Sequence, residues 1–225
     1  MRRFCGIIIC YLIIIFQADA QTPGGTTATA MSAMQNYRRG RELESQNRMN
    51  EANTYYNEAI RICQGEVARN AATRDTYAVI TWALQRQNKY NDVITWGDRG
   101  LRAFGNEYRI IETMGEAYFY LGNYERSLSL MQRYTNALPE GERVSVAFFF
   151  SGEIYRLTRR YQHADIAYTT ALRFEPRIAL WWYRLGSVRE QLGDRRPAIE
   201  AYQQSLRLNP NYREAREGLN RLQNN

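Results

Sequence analysis

Few side chains in this 225-residue chain are suited to chemistry. Glu112 and Glu116 stand one helical turn apart, and Glu153 follows further along. Carboxylates at that spacing share a helix face. Crowded together they raise one another's pKa, which suits proton transfer, or they line an acidic pocket in a basic protein. Arg109 and Arg156 would instead neutralise them in an internal ion-pair ladder, the plainer arrangement. His163 is the only histidine, and it falls where an exposed or capping role is the default. Cys63, in "AIRIC", lies at helical spacing from Ala59 and Ile60, the pattern of a buried structural thiol. One histidine and one such cysteine do not make a metal site of the usual nitrogen and sulfur ligands. The chain has no G-x-S-x-G, no Walker-type phosphate loop and no G-x-G-x-x-G. These residues argue against an enzyme, and no cofactor is expected.

Composition narrows the partners. The formal net charge is +7, and Lys89 is the only lysine among 30 cationic residues. Arginine gives planar, bidentate contacts and stacks on aromatic rings, and the chain holds 17 tyrosines. Acidic residues interleave with the arginines and no block of like charge forms, so no nucleic acid is expected as a partner. The first residues read differently. A basic "MRR", the apolar run Ile7–Phe16 and Ala18-Asp19-Ala20 give residues 1–20 the form of a secretory signal. The run is too short to cross a membrane, which needs about 20 apolar residues. Cleavage would remove Cys5 and Cys10 and leave no transmembrane span. The expected location is periplasmic or secreted; Cys10 as a lipid anchor is the lesser alternative. Residues 21–32, "QTPGGTTATAMS", read as a flexible leader.

The elements that must position any site come from a repeat. "ADIAYTTALRFEP" and "AIEAYQQSLRLNP" share small, aromatic, small and proline residues in the same order, 34 residues apart. Carried along the chain, that period gives five frames: 33–66, 74–107, 108–141, 145–178 and 179–212. Val67–Thr73 and Glu142–Val144 are insertions between frames. Each frame predicts two helices. A large residue comes early in the first helix (Tyr77, Ile111, Phe148, Trp182), with Asn36 as the exception. A small one follows a turn later: Gly40, Thr81, Gly115, Gly152, Gly186. Asn47, Asn88, Gly122 and Gly193 then occupy a position suited to a left-handed helix stop, with Arg159 departing. The second helix carries Ala52, Val93, Ser127, Ala164 or Ala198, then a bulky Tyr56, Met131, Tyr168 or Tyr202. Small residues let helices approach closely while large ones fill the space around them. The second frame is irregular: Gly97 and Gly100 interrupt its second helix. Either a neighbouring backbone comes unusually close or this helix is the loosest part of the array, the second being the favoured reading. Ala215, Leu219 and Leu222 put an apolar face on a capping helix over 213–224.

These columns resemble the tetratricopeptide repeat (TPR), and the resemblance covers 33–212. It implies an all-α solenoid of five helix-turn-helix units plus the capping helix. It also implies a concave groove lined by first helices, where TPR proteins hold a partner protein or peptide. The free side of each first helix supplies the candidate groove residues. These are Tyr37, Arg41, Trp82, Arg86, Arg109, Glu112, Glu116, Phe119 and Tyr120, then Phe149, Glu153, Arg156, Tyr183 and Glu190. Arginine and aromatic side chains are the types that dominate binding energy at interfaces. The expected function is an exported, non-enzymatic scaffold of an envelope assembly or transport complex. The alternative is a TPR accessory protein of a secondary transporter that uses a solute-binding protein.

Overall fold

The structure is a computed structural model and describes residues 31–224. The signal reading of 1–20 and the leader up to residue 30 lie outside the described residues. Ser32, assigned to the leader, belongs to the first helix as its N-cap: its hydroxyl accepts from the Gln35 N–H at 3.2 Å.

All regular structure among the described residues is helical. The first helices of the five units are α1 (Ala33–Ser45), α3 (Arg74–Arg86), α5 (Tyr108–Tyr120), α7 (Val144–Leu157) and α9 (Ala179–Leu192). Their partners are α2 (Met49–Ala68), α4 (Tyr90–Phe104), α6 (Tyr124–Ala137), α8 (Tyr161–Phe174) and α10 (Arg195–Leu208). A final helix, α11 (Arg213–Asn224), packs on α9 and α10. None is long and apolar enough to cross a membrane.

Each pair turns in the same way. Asn47, Asn88, Gly122, Arg159 and Gly193 all take positive φ, between 57° and 79°. Arg159 thus adopts the stop conformation without being a residue that favours it. Inside each pair the small-against-large rule is literal. A Cβ on Gly152 would lie 2.7 Å from the Tyr168 ring, and one on Gly186 equally close to Tyr202. Unit 2 departs from it: Thr81 stands on the first helix and Gly97 on the second, where the other units place a large residue, and Met114 of α5 comes against Gly97 instead.

Gly97 and Gly100 do not loosen α4. Both are buried. A Cβ on Gly97 would collide with Met114, and one on Gly100 would lie 2.7 Å from Ile110 Cδ1 and 2.8 Å from Tyr77 Cβ. Close approach of α3 and α5 is therefore the reason for the glycines, which is the first of the two readings and replaces the favoured expectation of a loose helix.

Successive first helices touch: α1 meets α3, α3 meets α5, and α5 meets α7. The second helices make no comparable contacts with one another among the described residues. The first helices thus form the inner, more tightly spaced layer, and that layer carries the candidate groove.

Candidate functional site

Three inner helices enclose a cavity of about 490 Å³. Helix α1 contributes Tyr37 and Arg41, α3 contributes Trp82, Gln85 and Arg86, and α5 contributes Arg109, Glu112 and Glu116. The fourth side is made by Tyr134 and Leu138 at the end of α6 and by the α6–α7 loop through Arg143. Hollows on the outer side, between α6 and α8, are smaller at about 320 and 300 Å³. The inner wall is aromatic and cationic. The rings of Tyr37 and Trp82 are 5.5 Å apart, and the Arg109 guanidinium lies 5.8 Å from the Trp82 ring centroid.

The cavity opens beside the two units that lack a recurring clamp. In units 1, 4 and 5 the tyrosine of the second helix donates its hydroxyl to a glutamate of the first: Tyr56 to Glu44, Tyr168 to Glu153, Tyr202 to Glu190. An arginine from the following element then closes on the same carboxylate. Arg86 Nε reaches Glu44 at 2.9 Å, Arg184 reaches Glu153 at 3.0 Å, and Arg221 reaches Glu190 at 3.0 Å. Units 2 and 3 put Gly97 and Met131 at the tyrosine position, so no hydroxyl is offered. Glu116 is served instead by the Gln85 amide and by Arg143.

The ladder expected from sequence is only partly formed. Arg156 does hold Glu153, with its guanidinium 2.9 Å away. Arg109 turns from the acidic pair and binds Glu107 and Asp75, each at 2.7 Å. Its place is taken by Arg143, which sequence reading passed over; its Nε donates to Glu112 at 2.9 Å and its other arm meets Glu116. Arg143 lies in the insertion 142–144, so the periodicity that selected the other candidates could not select it. The cue was an arginine immediately preceding a first helix, where capping favours Ser, Thr, Asp or Asn.

Glu112 and Glu116 are 3% and 7% exposed. Burial above all, and then the neighbouring Glu116, hold the Glu112 carboxyl well above its ordinary value of 4.5, against the opposing pull of Arg143. A carboxyl group withdrawn from water beside a second one behaves this way, with or without catalysis. The sign of the stability effect follows. The folded chain retains a proton that the unfolded chain releases above 4.5, so stability falls as pH rises beyond that value. Glu112→Gln fixes the neutral form and is expected to flatten this fall. Thermal midpoints taken from about pH 5 to about pH 8 read it directly; a slope identical to wild type would place the proton elsewhere.

The remaining candidates do not line the cavity. Phe149 stacks on Trp181 with centroids 5.0 Å apart, as part of the packing between α7 and α9. Phe119 packs edge-on against Phe150, and the exposed Tyr120 stacks on Tyr90. Glu153, Arg156 and Glu190 belong to the clamps, and Tyr183 packs against Tyr212. Cys63 is fully buried and its thiol is pushed up to about 12 by desolvation, as a packing residue should be.

The sequence profile of the tetratricopeptide repeat matches residues 36–65 and 179–212. No curated protein sequence matches the chain. Several solved structures are similar, at low identity. One is TTC0263, described as a thermophilic TPR protein in Thermus thermophilus. It is 16% identical with a TM-score of 0.64 over 86% of this chain and 100% of that one. Another is MamA (41-end) from Desulfovibrio magneticus RS-1, 17% identical, with a TM-score of 0.59 over 82% and 99%. A third is YrrB, described as a TPR protein with an unusual peptide-binding site; it is 17% identical, with a TM-score of 0.55 over 83% and 91%. The paired helices, the glycine–aromatic packing between them and the two matched repeats make this chain a member of the tetratricopeptide-repeat family.

Proposed function

We propose that the protein is a non-enzymatic scaffold that holds an extended segment of a partner protein in the inner cavity formed by α1, α3 and α5. The observation that carries this reading is the cavity's make-up. Trp82 and Tyr37 offer rigid apolar faces, while Arg41, Arg86 and Arg109 offer donors around them. A pocket of aromatic rings rimmed by arginines suits a side chain seated on the rings with its backbone held by the rim. The description of YrrB as a TPR protein with an unusual peptide-binding site supports the same use of the fold. The signal-like segment 1–20 supports placing the scaffold outside the cytoplasm, in an envelope assembly or transport complex.

The test couples capture with location. A photo-crosslinking residue in place of Tyr37 is expected to trap a defined partner segment in extract of the source cells. Trp82→Ala is expected to weaken capture by about tenfold, the scale of one aromatic anchor. Undiminished capture by Trp82→Ala, with no adduct at position 37, would remove the cavity from consideration.

A further inference from the structure

Arg143 is poorly chosen for the helix it begins. It occupies the N-cap position of α7, where a side-chain oxygen would satisfy the first free N–H groups, and it makes no such bond. A cationic residue at that position is also the wrong charge for the positive end of a helix. The first helices of units 1, 2 and 3 have side-chain caps, from Ser32, Thr73 and Glu107, while α9, preceded by Ile178, has none. Nor does the repeat require the residue, since it lies within the three-residue insertion 142–144.

What Arg143 does satisfy is the pair of buried carboxyl groups on α5, across the cavity wall. Yet its own side chain remains 49% exposed, so it reaches them over the rim and not through the core. Tyr134 supports the loop from below. The Arg143 N–H donates to the Tyr134 hydroxyl at 3.2 Å, and a Cβ on Gly141 would lie 2.7 Å from that same oxygen. Leu138 anchors the start of the loop against the core around Ile111 and Met131, and backbone bonds from Gly141 to Leu138 and from Val144 to Gly141 shape it. Across the cavity wall to α5 its tie is the ionic one, which can let go without unpacking a helix.

We propose that the α6–α7 loop, residues 138–143, is a strap latched onto α5 by Arg143, and that releasing this latch widens the inner cavity toward α7 for the entering partner segment. The last clause rests on the binding reading above; the latch itself does not. Two variants release it from opposite sides. Arg143→Ala removes the cation. The double change Glu112→Gln with Glu116→Gln keeps the size of both side chains and leaves no unpaired buried charge should the first variant fold poorly.

Hydrogen exchange and hydroxyl-radical footprinting, both read by mass spectrometry, need no partner. In each variant the strap amides are expected to exchange about tenfold faster or more, the scale of one lost charge-assisted hydrogen bond. Radical labelling of Tyr134 and Trp82 is expected to rise severalfold, with α5 amides and Trp181 labelling unchanged. Strap exchange at the wild-type rate in both variants would show that the Tyr134 contact, the Leu138 packing and the backbone bonds hold the loop without Arg143, and would overturn the latch. Acceleration spread through α5 and α7 would also overturn it, making Arg143 a structural pin. A failed capture experiment leaves these readouts intact, so the two readings fail separately.

Discussion

Replacing Tyr168 by alanine is expected to cost about 3–5 kcal/mol, the range for deleting a large buried aromatic side chain. The ring is fully buried between α7 and α8, against the bare backbone of Gly152. On the α7 side the partner position is Gly152, which has no side chain to fill the space. The hydroxyl adds a second loss. It donates to Glu153, a buried carboxylate that also takes Arg156 and Arg184. Tyr168→Phe isolates that part and should cost about 1–2 kcal/mol, since two arginines still serve the carboxylate. Against a total stability of about 5–15 kcal/mol for a domain, the alanine variant removes a large share.

The loss should also be local. A repeat array is stabilised by each unit and its nearest neighbours, and here the core falls into clusters around units 1–3 and units 4–5, bridged by α5–α7. Tyr168→Ala is therefore expected to unfold α7–α10 at lower urea than α1–α4. Selective labelling of Trp96 in the first cluster and Trp181 in the second would report two midpoints where wild type shows a smaller separation. A single unchanged transition would mean that the clamp contributes nothing.

The repeat was legible because packing repeats. Gly40, Gly152 and Gly186 could be assigned to close helix contacts from spacing alone, since each meets a tyrosine at the same offset in its unit. The left-handed stops were legible at Asn47, Asn88, Gly122 and Gly193 for a similar local reason, while Arg159 shows the fold imposing the conformation on a residue that does not ask for it. The inner wall was legible only in part. Tyr37, Trp82, Arg86 and Arg109 could be placed on it by helical phase, but phase does not tell which arginine meets which carboxylate. With charges of both signs on nearly every helix, Arg109 had several partners within reach and took Glu107 and Asp75. Phe149 shows the other limit. The face that is free in one unit is covered in another, because Trp181 of the next helix stacks over it. Arg143 and Tyr134 were invisible to the period, one as an insertion and the other as a second-helix residue whose hydroxyl supports that insertion.

Gly100→Ala sets helix propensity against packing, and packing should win. Alanine in place of a helical glycine is worth about 1 kcal/mol in its favour. Position 100, however, has no room. The new methyl would lie 2.7 Å from Ile110 Cδ1, which can swing aside, and 2.8 Å from Tyr77 Cβ, which cannot. A Cβ is fixed to its backbone, so relief requires α3 to move, and α3 forms the middle of the cavity wall. Overpacking of this kind costs about 1–3 kcal/mol, leaving Gly100→Ala destabilised despite the better helix former. Gly65, inside α2, supplies the contrast. Its nearest neighbour is the far end of the Arg69 side chain, 3.1 Å away and free to yield, so propensity is unopposed. Gly65→Ala is expected to gain about 0.5–1 kcal/mol. Urea midpoints for the two variants should therefore shift in opposite directions. A gain at position 100 would mean that α4 stands off from α3 and α5 in solution, and that the cavity wall is softer than its packing implies.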